Sequence, residues 1–193
     1  MRRIAYEELL DNREYVAGRQ RIRQEMMAYK EARRVQLGDL VSVLFENHRT
    51  LWYQTQEMLR AEHITAPALR QRELDVYNAM IPQDLALAAT LFIEIPDSSQ
   101  IPAVLARLSG AEEHVVLVVD GEPFPAEAEP GRSQDDKTSS IHYLTIPLGP
   151  GGLRALETAD TVEMAIEHDH YRARTVLRED TVQQLLDDLR ETS

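Results

Sequence analysis

Two groups of side chains in this 193-residue sequence have the types and spacing to do chemistry. The first is Glu167-His168-Asp169-His170. It contains Glu-x-x-His, the ligand pair of di-iron helical bundles, and His-x-His, a pair common at mononuclear metal sites. The di-iron use requires a helix, because residues three apart must share one face. The flanking residues alternate as in a strand, so that use fails. His-x-His on one strand face stays open beside a plain hairpin with His168-Asp169 at its tip. In that hairpin Glu163 faces Arg174 and Glu167 faces His170, while Met164–Ala173 and Ile166–Tyr171 line the other face. His142 alternates with Leu144 and Ile146, which places it on the apolar face of its strand. There it is either a hydrogen-bonded core residue or a ligand.

The second group is spread over residues 46–78. A helix over 51–63 puts Gln54 and Glu57 on one face, with Arg60 and Glu62 in its last turns. A second helix over 67–81 starts at Pro67, pairs Glu73 with Tyr77 at i, i+4, and ends at Pro82. So few residues join the two that they must pack as antiparallel neighbours. Glu46, Glu57, Glu62 and Glu73 then converge as a carboxylate cluster able to hold a cation or work as acid and base. Arg49, Arg60, Arg70 and Arg72 lie among them, so a network of interhelix ion pairs is the competing reading.

The elements that carry these residues read as an α+β fold. A mainly helical region, 1–84, holds a long helix over 14–34 and a short strand or hairpin near 35–50, where Val41, Val43 and Phe45 alternate. Thr50 is placed to cap the helix that follows. This region packs on an α+β domain, 85–193, with a possible internal repeat of β-α-β-β units at 87–128 and 141–178. In the first unit, Ile101, Val104, Leu105 and Leu108 form a helix face, Gly110 closes it, and Asp120-Gly121 turns a hairpin. Pro123 and Pro125 suit only an edge strand. A C-terminal amphipathic helix carries Val182, Leu185, Leu186 and Leu189, with Asp180 as its expected cap.

Composition removes several functional classes. With no cysteine there is no disulfide framework, thiolate metal site or cysteine nucleophile. No Walker loop, G-x-G-x-x-G, G-x-S-x-G or His-Glu-x-x-His occurs, and Gly149-Pro150-Gly151-Gly152 lacks the Lys-Ser/Thr of a phosphate loop. Net charge is −12, yet residues 1–34 hold nine basic against six acidic side chains, a local +3, which leaves −15 on the rest. So acidic a body repels phosphate backbones and confines any nucleic-acid contact to Arg19–Arg34. The opening residues lack the apolar run of a signal peptide, and no segment approaches membrane-spanning length. The expected location is therefore cytoplasmic, with no membrane partner.

Further runs carry a family likeness: Phe45-Glu46-Asn47, Thr50, Gln54, Glu57-Met58-Leu59-Arg60 with Glu62, Glu73-Leu74, Tyr77-Asn78, Thr90 through Ile95, Gly131-Arg132-Ser133 with Asp136, His142-Tyr143, and His168 with Tyr171. On these the chain resembles, over nearly its full length, the bacterial domain-of-unknown-function family 3501. His170 departs from the family's pattern. Members are often encoded beside rubrerythrin-like and iron–sulfur oxidoreductase proteins. The resemblance thus implies a role near peroxide defence or electron transfer, with such a protein as partner, and names no cofactor. The expectation is an accessory binding protein using residues 46–78 (Glu46, Gln54, Glu57, Arg60, Glu62, Glu73 and Tyr77) and the loop at Arg132. The rival is a metal-dependent enzyme or metalloprotein using the carboxylates and His142, with His168 and His170 as further candidate ligands.

Overall fold

The computed structural model describes residues 1–82, 84–130 and 138–191. The chain is an α+β fold of two antiparallel sheets with a C-terminal helix. Its elements are α1 (Asn12–Glu31), β1 (Arg34–Leu37), β2 (Val41–Glu46), α2 (His48–Ala61), α3 (Pro67–Asn78), β3 (Ala86–Ile93), α4 (Ile101–Arg107), β4 (Val115–Val119), β5 (Glu122–Pro125), β6 (Glu127–Ala128), β7 (Ile141–Pro147), α5 (Gly149–Thr158), β8 (Val162–His168), β9 (Tyr171–Val176) and α6 (Glu179–Arg190). Among the described residues, no helix is long and apolar enough to cross a membrane.

The first sheet runs β1-β2-β3-β7-β6 and the second β5-β4-β8-β9. Side chains alternate between faces along a strand. Val43, Phe45, Leu87, Leu91, Leu144 and Ile146 of the first sheet therefore share one core with Val115, Leu117, Met164 and Ile166 of the second. Leu108 beyond α4, Leu156 of α5, and Leu185 and Leu189 of α6 complete it. The outward residues of the first sheet are not wet. Ala88 joins a second core with Leu51, Leu59, Leu74, Tyr77 and Ile81, so α2 and α3 cover that face. This is why all six residues of β2 are buried.

Strand–helix–strand–strand order does occur twice, as β3-α4-β4-β5 and β7-α5-β8-β9. Each set is split between the sheets: β3 pairs with β7 in the first, and β4 with β8 in the second. The division expected between residues 84 and 85 runs through a continuous sheet, because β2 pairs with β3 from Val41↔Ile93 to Glu46↔Ala88. Pro123 and Pro125 lie on the edge strand β5, where a missing N–H breaks no ladder. Asp120 and Gly121, at φ 47° and 87°, form the tight turn before it.

Three local expectations are corrected. The first helix ends at Glu31, and residues 34–37 turn back as β1 against β2. Asn47 caps α2, its Oδ1 accepting from the amides of Arg49 and Thr50, while the Thr50 hydroxyl accepts from the Asn47 amide. At α6 the capping position is Arg178, with no side-chain cap bond, and Asp180 instead accepts from Arg178 and the Thr181 amide.

Two polar devices tie distant segments together. Arg33, fully buried, donates to the Phe45 carbonyl (2.9 Å), Gln184 (3.2 Å) and the Asp188 carboxylate, and Asn47 donates to the other oxygen of Asp188 (2.8 Å). Burial pushes the Asp188 carboxyl up, and Arg33 and Asn47 pull it back. At the sheet edges, the Tyr171 hydroxyl of β9 donates to the Leu37 carbonyl (2.6 Å) and accepts from the Leu40 amide (3.0 Å). Gly38, at φ 71°, makes room for it: a Cβ there would lie 2.4 Å from the Tyr171 oxygen.

Candidate functional site

On the helix-covered face of the first sheet the ladder sets Glu46 beside Ala88, Ala88 beside Thr145 and Thr145 beside Glu127. The next row brings Thr90 beside Tyr143. Alanines at 79 and 88 leave the space that larger side chains would fill, and a cleft of about 350 Å³ results. Val76, Ala79 and Met80, at the end of α3, form one wall, and residues 127–130 form the other.

Glu46 lies at the floor, only 8% exposed. Its Oε1 accepts from the Thr90 hydroxyl (2.8 Å), and its Oε2 has no hydrogen-bond partner. A buried carboxylate oxygen left without a donor is costly, since it loses water and gains nothing. Lys30 feels the charge of Glu46, but its ammonium rests over the Tyr53 ring, 5.4 Å from the centroid. Burial holds the Lys30 ammonium below its ordinary pKa. Glu127 and Glu129 are exposed at the mouth. Beside the cleft, Tyr77 is buried close to Gln54. Burial, followed by the neighbouring Tyr143 and Glu73, pushes its hydroxyl up to about 12.

The residues expected to converge are divided by the fold. Glu46 lines the cleft, and Gln54, Glu73 and Tyr77 gather at its flank. Glu57 turns instead to α1. Its Oε1 accepts from the Tyr15 hydroxyl (2.7 Å) and Arg19 Nε (2.8 Å), and its Oε2 from Arg19 Nη2 (2.8 Å) and Arg60 (3.4 Å). Arg19 above all, with Tyr15, holds its carboxyl down at about 2, against the opposing effect of burial. Glu62 is exposed at the end of α2. Arg132 lies outside the described residues. Among the described residues, no group of three or more His, Asp or Glu side chains is arranged to hold a metal ion.

The histidines are placed by hydrogen bonds. His142 is buried on the inner face, as its alternation implies. Its Nε2 meets the Thr138 hydroxyl (2.7 Å) and the Ser139 carbonyl (2.8 Å), and the Thr138 hydroxyl donates to Glu112 (3.0 Å). His168 is not at an exposed tip. The turn is Asp169-His170, with Glu167↔Arg172 and His168↔Tyr171 paired, so each partner lies two residues beyond the expected one. His168 is buried, its Nε2 meets the Ser109 carbonyl (3.1 Å), and its Nδ1 accepts from the His170 amide (3.3 Å). Both ring nitrogens are therefore occupied in the neutral form. Arg174 still pairs with Glu163 and Glu167 on the outer face, because a shift of this kind keeps each residue on its side of the sheet.

Glu127 and Glu129 were not foreseen as site residues, and only the pairing of β6 with β7 brings them to the cleft. Thr90 and Tyr143 stood in the family-like runs, which was the one signal that could have found them.

The model of the family described as Protein of unknown function (DUF3501) matches residues 3–189. A crystal structure of a novel protein of unknown function from Burkholderia pseudomallei is similar to this chain at 33% sequence identity and a TM-score of 0.90. The match covers 97% of this chain and 99% of that one. No curated protein matches.

Proposed function

We propose that this chain, which belongs to the DUF3501 family, is a binding protein that takes a small ligand in the cleft between α3 and the first sheet. One observation carries the reading. The cleft is mainly apolar, lies at a junction of helix and sheet, and ends on a buried carboxylate oxygen with no partner. Ligand sites combine these properties: apolar walls for affinity and a few placed polar groups for orientation. Glu57, by contrast, is saturated by Tyr15 and Arg19 and holds the helices together.

The test is a fragment screen on isotopically labelled protein, read by amide chemical shifts. Hits should move the amides of Ala88, Thr90, Ala128 and Tyr143, and Thr145→Trp, which fills the cleft, should abolish those shifts. Hits that map elsewhere, or that survive Thr145→Trp, would overturn the assignment. An accessory role beside a rubrerythrin-like or iron–sulfur oxidoreductase partner, implied by the family resemblance, belongs to the same proposal. Co-purification from the host, repeated with the Thr145→Trp variant, checks whether partner capture depends on the cleft.

A further inference from the structure

We infer that the ligand of this cleft is an organic cation, an ammonium or guanidinium head on an apolar body. The inference rests on the cleft being a binding site and names the chemistry of its occupant. The described lining residues include three carboxylates, Glu46, Glu127 and Glu129, and no lysine, arginine or histidine. An anion entering would meet like charge at the mouth and at the floor. A cation would be drawn in past exposed Glu127 and would end against Glu46.

The depth of Glu46 decides what kind of cation fits. Its Oε1 is taken by Thr90, and its Oε2 lacks a hydrogen-bond donor. An N–H of an ammonium or guanidinium head supplies that donor and a matching charge in one group, the stronger kind of hydrogen bond. Val76, Met80 and Pro130 offer the remainder of the ligand an apolar wall. A bare divalent ion asks for something else: six or more oxygen ligands for calcium, or octahedral geometry for magnesium. No described group of three acidic or histidine side chains supplies such a set.

Four probes separate the outcomes: 2-phenylethylammonium, 3-phenylpropionate, 2-phenylethanol, and calcium or zinc alone. Each is titrated into the full chain by calorimetry, with the binding site located by amide shifts. The ammonium should bind in the cleft, and Glu46→Gln should weaken it at least tenfold. Glu127→Gln/Glu129→Gln, which changes only exposed residues, should weaken it several-fold and reduce its salt dependence. That second variant keeps the test decisive if Glu46→Gln folds poorly. Cleft binding of the alcohol or the carboxylate as tight as that of the ammonium would overturn the cation inference and leave the cleft as a binding site. Metal binding lost in Glu46→Gln, without ammonium binding, would overturn it in favour of a metal site. Absence of cleft shifts with all four probes would overturn the cation inference and the binding reading together.

Discussion

Replacing Glu57 by Gln keeps the shape of the side chain and removes its charge. Three donors now converge on the carboxylate at 2.7–2.8 Å, from Tyr15 and twice from Arg19. An amide can accept with its oxygen, but its NH2 must face a guanidinium N–H or the Tyr15 hydroxyl. Tyr15 is fully buried and cannot turn to water, so its bond carries most of the loss, about 1–2 kcal/mol. The Arg19 side chain is about a third exposed (32%), and solvent screening makes its share the smaller one. The variant should therefore lose about 2 kcal/mol in urea unfolding at pH 7, or about 4–8 °C in Tm for a domain of this size. The pH dependence has a definite sign. The folded carboxyl, at about 2, lies below its ordinary 4.5, so the stabilisation is complete above pH 4.5 and fades as pH falls toward 2. The gap between parent and variant should narrow over that window. A gap under about 0.5 kcal/mol at pH 7, or one unchanged down to pH 2.5, would refute the reasoning. Loss of ligand or partner binding with stability unchanged would return Glu57 to the functional site.

Gly38→Ala should cost about 2–4 kcal/mol, through its positive φ and the clash with the Tyr171 hydroxyl. Gly121→Asn, also at positive φ but with open space around it, should cost under about 1 kcal/mol by thermal melting. Tyr171→Phe strands the Leu37 carbonyl and the Leu40 amide and should cost about 2 kcal/mol. Faster hydrogen exchange at Leu40 should accompany it. Arg33→Met leaves Asp188 buried without its counter-charge and should cost about 3–5 kcal/mol, and Arg33→Met/Asp188→Leu should recover much of it. A double variant no more stable than the single would show that the pair is not the unit of stabilisation.

The elements with strong local signals were legible in the sequence: the helix begun by Pro67 (though it closes at Asn78, short of Pro82), the Asp120-Gly121 turn, and the amphipathic C-terminal helix. What failed was decided by tertiary contacts. Arg33 and Arg34 read as the basic end of a helix, yet Arg33 is buried by partners some 150 residues away and Arg34 begins a strand. The β8–β9 register was missed because both registers sort charge and apolar residues alike. The choice between them lies in the bond from His168 to Ser109 and that from Tyr171 to Leu37. At the site, Glu46 was named for its place in a carboxylate cluster and in the family-like run Phe45-Glu46-Asn47. The grouping of Glu46 with Glu57 was wrong in space, since helical spacing shows which face a residue shares but not which neighbour that face meets. Arg19, which claims Glu57, lies 38 positions earlier.

The buried Arg33 has a consequence for how the chain reaches its native state during synthesis. Its counter-charge sits on α6, 155 positions later, so it does not exist until translation has passed residue 188. Until then the end of α1, the β2 carbonyl it caps and the Asn47 turn must stay open to water, because closing around a lone guanidinium is strongly unfavourable. The early helices and strands can form on the ribosome, but the dry interior cannot. A chain cut short before residue 179 would keep this charge at its heart and be held in an open form that chaperones and proteases recognise. The arrival of α6 thus acts as the signal on which the buried charge can close.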